Sequence, residues 1–374
     1  MTSATSQTVL SDPASRAVYS EAAGIGRIIP SAVAAPKTAD EVRALVQWAA
    51  TAGMSITPRG SGSSMAGGAI GNGLIVDLSL MKEITLDHAT SRIWCSPGAL
   101  RGDIERAARS AGLRFPVDPS SGEFCTIGGM VATNASGAHT LKYGSTRRWV
   151  TALDCIFADG SRAIVRRGDR SYHSESGAPP LDRLDHGVRA RLTEEGAAVR
   201  HAGVRKESSG YGLHDFARTG DVIDLIVGSE GTLALVVGVE LELAPMVGAT
   251  SSLRATFADL DQVASAASMV RRLGASVCEL LDSSFLRIAE SGGALPNFMR
   301  GAAAVLIVEV EADDEAGAAL RMRGMKSALT ECGARSVEQA SVPGEERELW
   351  DLRHAASPIL AKDPVLKSVQ VIED

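Results

Sequence analysis

The 374-residue chain has only five cysteines, Cys95, Cys125, Cys155, Cys278 and Cys332, and no C-x-x-C pair among them. An odd, dispersed set offers no iron–sulfur or zinc framework. It fits a reducing compartment, so a cytoplasmic location is expected. No stretch approaches the roughly 20 apolar residues that cross a bilayer, and no transmembrane segment is expected. The first fifteen residues are polar and lack an apolar core, so they do not read as a secretory signal. Positive charge is not in excess either, with 38 Lys+Arg against 45 Asp+Glu and a net charge of −7. A nucleic-acid or anionic-membrane surface needs a basic face, which excludes nucleic acid as the expected partner. The seven histidines are isolated and show no ligand spacing, so no metal is expected.

What is present is ordinary for a soluble globular chain: 45% hydrophobic and 22% charged residues. The length suggests two domains, or three lobes. Residues 1–29 read as a leader, loose over 1–15. Thr38-Ala-Asp-Glu41 reads as a capping box before Val42, Leu45, Val46 and Ala49 at helical spacing, with Gly53 as the stop. Leu74–Leu78 reads as a short buried strand, and Leu100, Ile104, Ala107 and Ala108 line a second helix. Asp159-Gly160 is a hairpin turn between two apolar runs, and 167–201 a peripheral insertion with a helix around Leu181–Val199. A long alternating strand from Leu233 to Leu243 precedes a boundary at Pro245–Gly248. Beyond it, strand, helix and strand recur over 251–280 and 303–341, with Asp259 and Asp313 as helix caps. That alternation predicts a ferredoxin-like α+β lobe, or failing that another α+β arrangement.

Two glycine- and hydroxyl-rich stretches carry the chemistry: Pro58-Arg-Gly-Ser-Gly-Ser-Ser64, then Asp118-Pro-Ser-Ser121 with Thr126-Ile-Gly-Gly129. Either could be an ordinary surface turn. Together they suggest a diphosphate held by backbone amides from two sides, because glycine lets successive N–H groups converge on an anion. In the second stretch the glycine pair opens a short helix whose N-terminal amides would face the phosphates. A Rossmann site is excluded by spacing: Met65–Gly73 holds four glycines in nine residues, which leaves no room for a crossover helix. No G-x-x-x-x-G-K-[ST] occurs, so a P-loop is excluded too.

These stretches stand in a longer series: P-R-G-S-G-S-S (58–64), L-I-V-D-L-S (74–79), P-G-A-L (97–100), D-P-S-S (118–121), C-T-I-G-G-M-V-A-T-N-A-S-G (125–137), L-K-Y-G (141–144), S-S-G-Y-G-L (208–213) and V-G-S-E-G-T-L (227–233). The series closely resembles the FAD-linked oxidase family, the vanillyl-alcohol-oxidase-like flavoproteins, in its D-lactate/glycolate/D-2-hydroxyglutarate dehydrogenase branch. The likeness runs over about residues 30–374. It implies an α+β fold, with a two-lobed PCMH-type FAD-binding domain over 30–246 and a partial ferredoxin-like cap over 247–374. It implies FAD as cofactor and a small 2-hydroxy acid, oxidised to a 2-oxo acid by hydride transfer to the flavin, as substrate.

By the same likeness Arg59, Gly60, Ser61, Gly62, Ser63 and Ser64 wrap the pyrophosphate, and Asp118, Pro119, Ser120, Ser121, Thr126, Gly128, Gly129 and Asn134 line the other side. Glu230, Gly231 and the backbone near Val236 close over the cofactor. Ser63 and Asn134 could instead be helix caps. Some family members bind FAD covalently through a histidine in the first loop; Ser63 stands in that stretch here, so non-covalent FAD is expected. His139 reads as a solvated loop residue. Arg353 is expected to clamp the substrate carboxylate, which a guanidinium does bidentately, with Lys367 as second cation and Ser357 as hydroxyl contact. The competing reading of Arg353 is a surface ion pair with Glu346, Glu348 or Asp351.

Family members also carry an H-x-G-D-G-N-x-H segment with the catalytic histidine, and nothing like it occurs here, so the catalytic base is unassigned. The chain is therefore expected to be a fragment, or to work with a partner chain that carries the missing cap half or an iron–sulfur electron acceptor. A non-catalytic FAD-binding subunit of a hetero-oligomer is the alternative. The enolpyruvyl-sugar reductase type shares the fold, but the D-P-S-S and G-S-E-G-T-L motifs fit it less well.

Overall fold

The computed structural model describes residues 9–168, 173–174, 179–193, 210–293, 295–340, 344, 350–353, 355, 359–360 and 362. Ser357, Lys367, Glu346 and Glu348 lie outside the described residues. The chain divides into two units. The first runs to Ser136 and from Ser145 to Pro245; the second takes Gly137–Gly144 and Met246–Ser368. The expected boundary near 246 thus has an exception, because an eight-residue piece of the first span packs with the second unit.

In the first unit, β1 (Val9–Leu10), β2 (Ala32–Ala34), β3 (Ile56–Arg59) and β4 (Leu74–Asp77) form a sheet in the order β1-β2-β4-β3. The last three are parallel and β1 is antiparallel to β2. The helix Ala39–Thr51 joins β2 to β3 and buries Val42, Leu45, Val46 and Ala49 against the sheet, as its spacing predicts. Its cap departs from the expected box in one bond. Thr38 accepts from the Glu41 N–H, but the Glu41 carboxylate reaches back to the Lys37 N–H rather than to that of Thr38. No helix joins β3 to its parallel neighbour β4, in keeping with the excluded dinucleotide fold.

Of the stretch expected to be loose, the described part, 9–15, is ordered, and the chain to 29 is held as well. Val9 pairs with Ala34, Asp12 caps the helix Pro13–Val18, and the Tyr19 hydroxyl donates to Asp77 at 2.7 Å. Backbone pairing, the cap and bonds such as Ala23 N–H to the Gly62 carbonyl and Arg16 to the Pro30 carbonyl anchor the segment, although its composition is polar.

The remaining strands of this unit are β5 (Ile84–Asp87), β6 (Arg92–Cys95), β7 (Leu113–Arg114), β8 (Val150–Ile156), β9 (Arg162–Arg166), β10 (His173–Ser174), β11 (Leu235–Glu242) and β12 (Ala244–Pro245). Six of them make a sheet in the order β10-β9-β8-β11-β6-β5, while β7 pairs with β12. The hairpin at Asp159-Gly160 joins β8 to β9, and the helix expected around Leu181 spans Pro179–Leu192. The alternating strand is shorter than expected and central, paired to β8 on one side and β6 on the other.

The second unit contains β13 (Ala249–Phe257), β14 (Val277–Asp282), β15 (Ala304–Ala312) and β16 (Ser336–Gln339), in the order β14-β15-β13-β16 and antiparallel throughout. With helices Leu260–Arg272 and Glu315–Glu331 after the first and third strands, this is the ferredoxin-like arrangement. Asp259 caps the first helix as expected, whereas Asp314 rather than Asp313 caps the second. Ala304, Leu306, Val308 and Val310 face the two helices, with Leu253, Ala255 and Phe257 of β13 beside them. Val305 and Ile307 face the opposite side, against Leu286, Met299 and Leu352.

Leu45 is 1% exposed in a packed core. Leu45→Ala is expected to lower unfolding stability by about 3 kcal/mol, measured as a shift of the urea midpoint at unchanged slope.

Candidate functional site

Three segments of the first unit meet. Gly60 packs so tightly on Thr126 that an added Cβ would stand 2.0 Å from the threonine Oγ1. Gly231, at φ +78°, lies against Pro58, whose Cγ would be 2.4 Å from such a Cβ. The Glu230 carboxylate reaches Gly68, with Oε2 3.3 Å from a Cβ built there. The loop 59–64, the residues around Thr126 and the turn 228–231 therefore share one locus.

The backbone amides decide what that locus can hold. Gly62 takes the left-handed conformation at φ +72°, which glycine adopts without steric cost. Among the described residues, no acceptor takes the N–H groups of Ser61, Gly62 or Ser63. Gly62 and Ser63 are half-buried, and amides so placed are satisfied by water or by a ligand. Successive amides in a turn of this kind make a concavity for an anion.

The helix Ile127–Thr133 corrects the expectation for the second wall. Its first-turn amides are already bonded: Ile127 to the Ala99 carbonyl at 2.9 Å, Gly128 to that of Pro97 at 2.8 Å, and Gly129 to Thr126 Oγ1 at 3.3 Å. Thr126 is its N-cap and also bridges to Leu100, which lays residues 97–101 across the helix end. That end is closed to a phosphate. Gly128 is glycine for a steric reason, since a Cβ would stand 2.8 Å from Pro97. At the other end Asn134 is the left-handed cap (φ 51°, ψ 47°), and its Oδ1 accepts from the Arg147 N–H at 3.0 Å. The carbonyls of Val131 and Ala132 accept from the amides of Gly228 and Glu230, each at 2.9 Å.

Arg59 is turned inward. Its guanidinium donates to the carbonyls of Glu21 (2.9 Å) and Ala69 (3.1 Å) and lies over the Tyr19 ring. Asp118, Pro119 and Ser121 are half-buried and Ser120 is exposed, in a turn ahead of Thr126. Arg101 steadies it by donating to the carbonyls of Phe115 and Val117, and the Ser121 carbonyl accepts from Phe124 and Cys125. Ser64 sits half-buried in the first loop, and Val236 lies in β11 opposite Cys155. Sequence reasoning missed Arg147, which is 7% exposed and donates to Asp215 at 2.9 Å and to the Val227 carbonyl at 2.8 Å. It holds the 228–231 turn in place. Burial pushes the thiols of Cys95 and Cys278 up to about 12 and about 11, so neither offers a thiolate.

In the second unit, the Arg353 Nε donates to Glu279 Oε2 at 2.8 Å. Among the described residues its ion-pair partner is Glu279 of β14, and two of the acids in the competing reading, Glu346 and Glu348, lie outside them. His139 is not a solvated loop residue. Its ring is 19% exposed, lies 2.8 Å from Glu309 Oε1 through Nε2, and stacks on Trp350. Lys142 donates to Glu311 Oε2 at 2.6 Å, and Tyr143 donates to the same oxygen. Burial opposes the lysine charge, but hydrogen bonds with Glu311 and Tyr143 outweigh it and hold Lys142 above the ordinary lysine value.

Two family models match the chain: the FAD binding domain over residues 30–165 and the C-terminal domain of FAD linked oxidases over 248–371. The chain belongs to the FAD-linked oxidases. Glycolate oxidase subunit GlcD of Bacillus subtilis is 28% identical over 367 residues, covering 96% of this chain and 68% of that protein. A D-lactate dehydrogenase of Archaeoglobus fulgidus is 27% identical over 293 residues, covering 78% of this chain and 56% of the relative. The matches thus span between about half and two thirds of the relatives' length. A solved alkyldihydroxyacetonephosphate synthase shares the fold, with a TM-score of 0.66 over 95% of this chain and 63% of its own, at 16% identity. FAD is the cofactor of this family. No helix among the described residues is long and apolar enough to cross a membrane.

The Gly60–Thr126 contact yields a double-mutant test. Thr126→Ala is expected to cost about 1 kcal/mol through the lost cap, and Gly60→Ala about 2 kcal/mol through overpacking. In the Thr126→Ala background, where Oγ1 is gone, the glycine substitution should cost about 1 kcal/mol less in urea titrations. Arg147→Met leaves the Val227 carbonyl and Asp215 without their donor and should destabilise by about 2–3 kcal/mol, with lowered FAD retention on gel filtration.

Proposed function

We propose that this chain is the FAD-binding part, with the substrate cap, of a dehydrogenase or oxidase that converts a 2-hydroxy acid into a 2-oxo acid. The observation that carries the reading is the set of unengaged amides at Ser61, Gly62 and Ser63, at the meeting point of three loops. The diphosphate of FAD would be seated there by neutral N–H groups, with Gly60, Ser64 and Thr126 shaping the wall. A net charge of −7 provides no general attraction for phosphate, so local dipoles must do the holding. Asp118–Ser121 and Asn134 would line the neighbouring surface, and Gly231 and the Val236 backbone the closing side. Glu230, an acid, suits the hydroxyl-bearing parts of the cofactor rather than its phosphates. With no histidine in the first loop, the FAD is non-covalent.

When bound, FAD supplies the redox chemistry, accepting the hydrogen that leaves the substrate α-carbon. The chain's own part is to hold and orient. Arg353 is anchored through Nε by Glu279, which leaves its two terminal nitrogens to fork the substrate carboxylate. Fixing that carboxylate aligns the α-carbon for transfer. Lys367 and Ser357 are proposed to complete the carboxylate contact. Glycolate and D-lactate, named in the relatives, are the substrate class. The word subunit in the name of the Bacillus relative favours one second reading, an FAD-binding chain that turns over only with a partner protein.

Anaerobic mixing of the FAD-loaded protein with glycolate, D-lactate or D-2-hydroxyglutarate tests this directly. The oxidised flavin band should bleach with one of them. Arg353→Met should lower the second-order rate of bleaching about a hundredfold; Arg353→Lys should lower it less because the charge is kept, yet still lower it because lysine cannot fork a carboxylate. Retained FAD with no bleaching by any acid would favour the partner-dependent reading. Failure to retain FAD at all would sink both.

A further inference from the structure

The strand β15 reads A-V-L-I-V-E-V-E-A, and its period of two puts Val305, Ile307, Glu309 and Glu311 on one face. The first two are buried in an apolar cluster, as a central strand demands. The next two are glutamates, and they are buried as well, at 5% and 2% exposure. Buried carboxylates are costly unless positive charge or donors are held close. The segment Gly137–Gly144 brings such groups within the same unit. Lys142 and Tyr143 take Oε2 of Glu311. Ser276 donates to Glu309 Oε1 at 3.2 Å, and its N–H to the Glu309 carbonyl at 2.8 Å. Oε1 of each glutamate faces the imidazole, with His139 Nε2 at 2.8 Å from Glu309 and 3.9 Å from Glu311.

One ligand atom from each of the three residues lies within 4.8 Å of the others. We propose that His139, Glu309 and Glu311 bind a divalent transition-metal ion. Two carboxylate oxygens and one imidazole nitrogen form the donor set that suits Zn2+ or Mn2+, while the nitrogen disfavours Mg2+ and Ca2+. Around these ligands stand the groups that orient them: Trp350 stacks on the His139 ring, and Ser276 and Tyr143 hydrogen-bond the two carboxylates. Lys142 is 39% exposed along its side chain, so it can withdraw as the ion enters. In the metal-free protein its ammonium supplies part of the charge that the ion brings. The site uses no residue of the FAD locus, so it stands whether or not the proposed reaction does.

The test is metal content rather than turnover. The full chain, stripped with chelator, is dialysed against Zn2+ and separately against Mn2+, with Mg2+ in a parallel cell, and the bound ion is counted by mass spectrometry. About one equivalent of Zn2+ or Mn2+ is expected, with little Mg2+. His139→Ala and Glu309→Gln should each weaken binding at least about tenfold, while Lys142→Met should retain the equivalent or bind more tightly. Circular dichroism identifies any variant that fails to fold, and the wild-type measurement decides without the variants. No saturable equivalent in the wild-type chain would overturn the proposal. So would binding that survives in folded His139→Ala and Glu309→Gln, which would mark an adventitious ion.

Discussion

The first unit depends on how one seven-residue helix, Ile127–Thr133, disposes of its unpaired backbone groups. Every helix end leaves N–H and C=O groups that must find partners. Here the N-terminal amides take the Pro97 and Ala99 carbonyls and the Thr126 hydroxyl, and the C-terminal carbonyls take the Gly228 and Glu230 amides. The helix thus ties two distant stretches of sequence to each other. Its Thr126 cap also sets how near the Gly60 loop can come. The helix positions the loop that carries the Ser61, Gly62 and Ser63 amides, while its own first-turn amides are bonded within the fold.

That division of labour bears on charge. In a chain of net −7, a basic side chain in a phosphate motif invites the reading of a phosphate ligand. Arg59 instead faces two carbonyls and an aromatic ring. A guanidinium bonded to those carbonyls stiffens the loop, while the Ser61, Gly62 and Ser63 amides take no acceptor among the described residues. Stiffness matters because ordering a glycine-rich loop at the moment of binding would cost conformational entropy. A loop braced beforehand avoids that cost.

The features legible in the sequence were those set by near neighbours along the chain. The Thr38 and Asp259 caps, the buried stripe of Ala39–Thr51 and the Asp159-Gly160 hairpin all arise from contacts within a few residues. The family motifs placed the FAD domain and the cap because their order is collinear. What could not be read was the long-range partner of each polar side chain. Arg353 meets Glu279, 74 residues away, although acids stand much nearer in sequence. His139 meets Glu309 across 170 residues, and Tyr19 meets Asp77 across 58. Polar residues have no periodic signature that names a partner, whereas apolar ones need only a face.

One signal was in the sequence and passed unused. Within an apolar strand bounded by Ala304 and Ala312, the alternation V-E-V-E places two acids on a face whose preceding members are buried valine and isoleucine. A solvent-facing strand would show such alternation from its start; this one changes character midway. Apolar residues would fill those positions at less cost, since a buried ionic cluster is at best weakly stabilising. Stability therefore does not explain Glu309 and Glu311, and neither does the sheet, whose ladder is made by backbone groups alone. The explanation must lie in what their oxygens hold. The chain spends an eight-residue excursion from the first unit's span, Gly137–Gly144, to bring an imidazole, an ammonium and a phenol to them.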